Sequence, residues 1–148
     1  MVPFCAVPTC GENEMRQSWV KEFPPVTEDG IRNFTRAIGD SNPIHHDDEA
    51  AKVAGLYGII APGVMTIGFV SSAIADEIPY SKIGKLEMKF RSPLYAGALP
   101  VASCRVLHFS KNIGAAQIAV TITNGMERVA EGTCLVTLPK QAQLQKVA

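Results

Sequence analysis

The sequence predicts an α+β fold in which an antiparallel sheet wraps around one buried helix. Three observations carry this. From Gly63 to Ala75 the apolar residues Val64, Met65, Ile67, Phe69, Val70, Ala73 and Ile74 cover nearly the whole circumference of a helix. A helix apolar all round is expected to be buried on most sides. Most of the chain beyond that helix alternates at period two, the spacing of half-buried strands. Asn124-Gly125 falls between two such runs, where a tight hairpin would set neighbouring strands antiparallel.

Taken in order, residues 1–17 show no periodicity and read as a loose N-terminal extension. Ser18 to Phe23 fits a short strand before the Pro24-Pro25 break. Thr27 is an N-cap, acidic Glu28 and Asp29 suit a first turn, and Ile31, Phe34, Ala37 and Ile38 recur at helical spacing. Gly39 ends that helix. Asp47-Asp48-Glu49 opens a second short helix through about Ala54.

After the apolar helix, Lys85 to Arg91 is the cleanest strand. Leu86, Met88 and Phe90 face one way, and Lys85, Glu87, Lys89 and Arg91 the other. Residues 99–109 and 115–123 make two more strands, joined by Lys111-Asn112-Ile113-Gly114, and the last runs from Val129 to Leu138. One domain is expected over residues 18–139, with 140–148 a frayed tail. A single helix leaves much apolar sheet to cover, and a homodimer would complete the burial.

Fourteen basic and fourteen acidic residues leave no net charge, which argues against a general nucleic-acid binder. No apolar run reaches about 18 residues, so no membrane span is expected. The segment from Met1 to Cys5 lacks the basic and apolar regions of a secretory leader. Cys104 and Cys134 sit inside strand patterns as small buried hydrophobes, while Cys5 and Cys10 lie in the extension. Without a C-x-x-C pair, a four-thiolate metal site is not expected. The chain reads as a soluble cytoplasmic protein needing no cofactor.

The chemistry-bearing stretch is Gly39-Asp40-Ser41-Asn42-Pro43-Ile44-His45. Pro43 cannot continue the preceding helix, so Asp40 and His45 fall on irregular backbone. A loop pinned by Gly39 and Pro43 can turn a carboxylate and an imidazole toward one water, the minimum equipment for moving a proton. Gly63 stands in the first turn of the apolar helix if Pro62 takes the first helical position. N–H groups there have no intrahelical partner, and a missing side chain admits a carbonyl closely.

The G-D-x-N-P-x-H string, followed by Ala61-Pro62-Gly63-Val64-Met65, resembles the MaoC-like (R)-specific enoyl-CoA hydratases and 3-hydroxyacyl-thioester dehydratases. The resemblance spans about residues 26–138. It implies a dimeric hot-dog fold and syn addition of water across a trans-2-enoyl thioester, carried by CoA or a carrier protein. By that resemblance Asp40 and His45 hold the water, His45 accepts a proton, and the pair returns one to the α-carbon. Asn42 would orient the loop or the water, and the Gly63 N–H would receive the thioester oxyanion. The chain departs from the family pattern at Pro62, where His is common, at Ile38, and at Gly97-Ala98.

Plainer readings stand beside these. His46, Asp47 and Asp48 look like a solvated helix start rather than a metal site. Lys85, Lys89 and Arg91 form a basic stripe that could meet CoA phosphates or an acidic carrier, but Glu87 interrupts it. His108 and Tyr95 read as structural, and Ser71 and Ser72 as helix back-bonders without a G-x-S-x-G context. The same fold could instead serve carrier-bound polyketide or fatty-acid chains, hydrolyse thioesters, or bind acyl chains silently.

Overall fold

The structure is a computed structural model and describes residues 16–139. Strand β1 (Ser18–Glu22) is followed by α1 (Glu28–Ile38), a 3₁₀ turn (Pro43–His45), α2 (Asp48–Val53) and α3 (Gly63–Glu77). Strands β2 (Lys82–Phe90), β3 (Pro100–Ser110), β4 (Ala115–Asn124) and β5 (Glu127–Thr137) complete the chain. They form one five-stranded sheet, order β1-β3-β4-β5-β2, with every neighbouring pair antiparallel. The expected α+β architecture, a sheet wrapped on a helix, is what the chain adopts. The readings of residues 1–15 and 140–148 lie outside the described residues, and the Gln17 carbonyl accepts from Val106 N–H on β3.

The helix ends follow their sequence signals. The Thr27 hydroxyl accepts from Gly30 N–H at 3.0 Å, a cap that contributes about 1 kcal/mol. At the other end Gly39 takes φ 74°, a left-handed value that costs a glycine nothing. Its N–H bonds Arg36 C=O, and Asp40 N–H bonds Thr35 C=O at 2.8 Å. This Schellman pattern ends α1 and aims the chain at the Asp40 loop.

The core lies between α3 and one face of the sheet. Ala102 on β3 pairs with Ile122 on β4, and Ile122 with Ala130 on β5, making one inward row across the sheet. Cys104, Val120, Gly132 and Met88 make the next row. From α3, Val70, Ala73 and Ile74 meet these rows, and the Trp19 Nε1–H bonds the Ala73 carbonyl at 2.9 Å. Each fully buried Ile (Ile74, Ile118, Ile122) contributes about 1.5–3 kcal/mol of transfer free energy.

Several boundaries differ from expectation for physical reasons. β2 begins at Lys82 rather than Lys85, because an irregularity between Ile83 and Lys85 absorbs Gly84 and lets the pairing continue. The hairpin turn is Gly125-Met126, with Asn124 paired to Glu127, so β5 starts two residues early. Helix α3 is not buried all round. Thr66, Val70, Ala73 and Ile74 are covered, while Val64 is 57% exposed and Gly68 and Ala75 also face out. No helix among the described residues is long and apolar enough to cross a membrane.

Cys104 and Cys134 are free and buried, as their strand context implied. Burial pushes the Cys104 thiol up to about 12 and the Cys134 thiol up to about 11, from 9.0. Their folded values exceed the unfolded one, so their contribution is complete below pH 9 and is lost as pH rises through 11 to 12. In the native protein at pH 8, iodoacetamide should leave both thiols unmodified, and denaturant should expose them; mass spectrometry of the alkylated peptides checks this.

Candidate active site

The Asp40 loop carries both members of the expected pair, and folding brings them together. Asp40 Oδ2 lies 3.6 Å from His45 Nε2. The His45 side chain is 7% exposed and that of Asp40 31%, so the imidazole is sealed in while the carboxylate reaches solvent. His45 Nδ1 stands 2.7 Å from the Ile60 carbonyl oxygen. A carbonyl accepts only, so Nδ1 carries a hydrogen; in the neutral imidazole this leaves the lone pair on Nε2, the nitrogen that faces Asp40.

With neutral His45 and ionised Asp40, both facing atoms are acceptors. A water within reach of both can donate one hydrogen to each, leaving its oxygen lone pairs free for an incoming carbon. A spacing of 3.6 Å suits that sharing, since each bond needs only about 2.8 Å.

Local sequence explains the loop. Asn42 N–H donates to Asp40 Oδ1 at 3.0 Å, and Asn42 Oδ1 accepts from Ile44 N–H at 3.3 Å, capping the 3₁₀ turn. Pro43 supplies the fixed φ at the start of that turn. The Asn42 amide oxygen is thereby turned to the loop's own backbone.

The loop is stitched to the strand-like segment that leads into α3. Ile60 N–H bonds Ile44 C=O at 3.4 Å, and Ala61 N–H bonds Leu94 C=O at 2.7 Å. The dyad is therefore anchored three residues before Gly63. Pro62 is the N-cap (φ −66°, ψ 148°) rather than the first helical residue, which places Gly63 itself at the first helical position. Pro62 offers no side-chain acceptor, and the carbonyl of Pro62 accepts from Met65 N–H at 2.9 Å. The Gly63 N–H belongs to the orphan donors at a helix start.

Phe90 packs closely against that glycine. A Cβ at position 63 would stand 2.9 Å from Phe90 Cζ, so the aromatic ring lies against the helix start. Phe90 is 51% exposed, an aromatic wall beside the Gly63 amide.

The remaining polar residues fall into structural places. Asp47 Oδ1 caps α2 by accepting from Ala50 N–H, and Asp48 pairs with Lys52 at 2.6 Å. Among the described residues no three His, Cys, Asp or Glu side chains converge on one point. The basic stripe is partly neutralised, Lys85 by Glu87 at 3.0 Å and Arg91 by Glu131 at 2.7 Å. Hydrogen bonding to Arg91 holds the Glu131 carboxyl below its usual range. Ser71 back-bonds to Ile67 C=O, Ser72 accepts from Lys21, and the Tyr95 hydroxyl accepts from Tyr57 N–H. His108 is exposed on β3.

Three participants were not legible in the sequence: the Ile60 carbonyl, the Phe90 ring over Gly63, and the His46 ring, whose Nε2 lies 3.0 Å from the Asp40 carbonyl oxygen. A backbone acceptor leaves no mark in sequence. Phe90 was read as sharing a face with Leu86 and Met88, but its contact with the helix start depends on tertiary packing.

One antiparallel sheet closed around a single helix, with an Asp–His loop beside the helix start, defines a hot-dog protein of the hydratase and dehydratase type. Residues 13–130 match the MaoC like domain, and the chain belongs to that family. It is 34% identical over 133 residues to a UPF0336 protein of Parafrankia sp. (strain EAN1pec), covering 80% of this chain and 87% of that one. It is 26% identical over 125 residues to the 3-hydroxybutyryl-CoA dehydratase of Methylorubrum extorquens, covering 83% and 80%. The fold is shared with the (R)-hydratase from A. caviae involved in PHA biosynthesis, at TM-score 0.79 and 21% identity, over 86% of this chain and 98% of that one.

Proposed function

We propose that this protein adds water to trans-2-enoyl-CoA to give (R)-3-hydroxyacyl-CoA, and runs the reverse dehydration. One observation carries the reading: Asp40 Oδ2 and His45 Nε2 stand 3.6 Å apart as two acceptors for one water, with the His45 tautomer fixed by the Ile60 carbonyl. The water oxygen forms a bond to the β-carbon as the C=C pair moves onto the thioester, and His45 Nε2 takes the water's proton. Negative charge on the thioester oxygen is received by the Gly63 N–H at the positive end of α3. The proton then passes from the Asp40–His45 pair to the α-carbon, and one water has been added overall. Asn42 holds Asp40 and the turn in place. No cofactor is required by this balance.

The substrate thioester on CoA is the simplest choice. A carrier protein is the second, and the Lys85–Lys89–Arg91 stripe is the feature in its favour, although Glu87 and Glu131 already engage two of those cations. A homodimer fits the uncovered apolar face of α3 at Val64 and the edge of β2, which among the described residues pairs only with β5. The family gives the dimer its precedent. Two free, buried thiols suit a reducing cytoplasm. Sedimentation equilibrium should return twice the chain mass, and a monomer would remove the homodimer from the account.

The test of the function follows the ultraviolet absorbance of crotonyl-CoA with free thiol monitored in parallel. Loss of the conjugated band without thiol is the expected result. Thiol release would establish thioester hydrolysis instead. An unchanged band with crotonyl-CoA and longer homologues would overturn the CoA assignment in favour of carrier-bound substrate or a binding role.

A further inference from the structure

His46 takes no part in the dyad, yet its ring is half-buried and directed back at the loop. Nε2 lies 3.0 Å from the Asp40 carbonyl oxygen. Because a carbonyl only accepts, Nε2 carries the hydrogen and donates. The backbone of His46 is tied in turn to α1: Arg32 Nε and Nη2 both lie 3.4 Å from the His46 carbonyl oxygen. Arg32 is held by Glu28 at 3.0 Å and stands 3.8 Å from Asp29. A chain of contacts thus runs from Glu28 through Arg32 and His46 to the Asp40 peptide.

Asp40 is consequently fixed at three atoms. Its N–H bonds the Thr35 carbonyl, its Oδ1 receives Asn42 N–H, and its carbonyl receives the His46 ring. Only Oδ2 remains, the oxygen facing His45. The bond from His46 sets the plane of the 40–41 peptide. Released from it, that peptide could rotate about the Asp40 Cα–C bond and carry Asn42 N–H away from Oδ1. The carboxylate would then lose the contact that aims Oδ2.

We propose that His46 is a positioning residue, a ring-to-carbonyl strut that holds the Asp40 carboxylate in the geometry that shares a water with His45. The proposal rests on the hydratase reading for its effect on rate, and on the loop alone for its effect on structure. Gln is the conservative replacement, since its Nε2 donor sits at about the reach of the histidine Nε2. Phe keeps a ring and removes the donor.

The experiment compares wild type, His46→Phe and His46→Gln, with Asp40→Asn alongside. His46→Phe should lower kcat about 10-fold with KM within about two-fold, because a misplacement near 1 Å at a reacting group costs one to two orders of magnitude in rate. His46→Gln should recover most of kcat. In ¹⁵N spectra of the histidine rings, His46 should be the Nε2–H tautomer, and the His45 ring signals should move in His46→Phe but stay near wild type in His46→Gln. Wild-type kcat in His46→Phe together with an inactive Asp40→Asn would overturn the strut and leave the dyad standing. An active Asp40→Asn would instead overturn the dyad. If crotonyl-CoA is not turned over at all, the ring spectra decide: an Nδ1–H tautomer at His46, or unmoved His45 signals in His46→Phe, would overturn the strut without reference to turnover.

Discussion

Asp40→Asn is expected to lower the hydration rate by about 10²–10⁴-fold, the range general acid–base groups supply, while the protein stays folded. The amide keeps the size of the carboxylate and can still accept Asn42 N–H through its oxygen. Its NH₂ would then point toward His45 Nε2, 3.6 Å away, and donate into the lone pair that should receive the water's proton. His45→Asn is expected to cost as much for the complementary reason. Its Nδ2 sits where the imidazole Nδ1 was and can keep the Ile60 carbonyl bond, but no base replaces Nε2. His45→Ala should be as slow and less stable, because it leaves the partly buried Ile60 carbonyl without its partner. Steady-state rates on crotonyl-CoA with circular dichroism of each variant check this. Near-wild-type rates in either Asn variant would remove the dyad from the mechanism.

Gly132→Ala is expected to be the most destabilising small substitution in the sheet. Gly132 lies between Val120 on β4 and Met88 on β2, in the row that faces α3. An added Cβ would come 1.8 Å from the Glu87 carbonyl oxygen and 2.9 Å from Met88 Cα. Both obstacles are backbone, which cannot swing aside as a side-chain end can. β2 would have to separate from β5 locally, and a loss of more than about 3 kcal/mol is expected. With about 2–4 °C per kcal/mol for a chain of this size, Tm should fall by roughly 10 °C. A thermal melt decides it, and a change within about 2 °C would show that the two strands have slack there.

Gly63→Ala makes an instructive contrast. Its nearest obstacle is the tip of the half-exposed Phe90 ring. The ring can turn outward, so stability should change far less than at Gly132.

The architecture was legible because its cues were local. The alternation of Leu86, Met88 and Phe90, the Gly39 cap after Ile38, and the acidic start of α2 each specify their element within a few residues. Legibility failed where the structure depends on partners distant in sequence. The circumferential apolarity of α3 implied burial on most sides, yet the sheet of one chain covers only the Thr66–Val70–Ala73–Ile74 face. The strand read from Lys85 begins at Lys82 instead, with Gly84 absorbed within β2. Gly132 carried no warning, because a close approach of two strands is invisible until they are paired.

At the site, the G-D-x-N-P-x-H string placed Asp40 and His45 on one loop from sequence alone. It could not place the Ile60 carbonyl that selects the tautomer, fifteen residues onward. The sequence read His46 as part of a solvated helix start rather than a metal ligand, and gave no sign that the ring nitrogen points at the Asp40 carbonyl.

If one dyad both activates the water and returns the proton, oxygen and hydrogen must reach the same face of the double bond. Crotonyl-CoA turned over in D₂O, with the product resolved by NMR and chiral chromatography, measures this. The expected product is (R)-3-hydroxybutyryl-CoA with one deuterium at the α-carbon, syn to the hydroxyl. Anti placement of the deuterium would contradict a mechanism in which Asp40 and His45 serve both steps from one side, and an (S) product would contradict the (R) assignment.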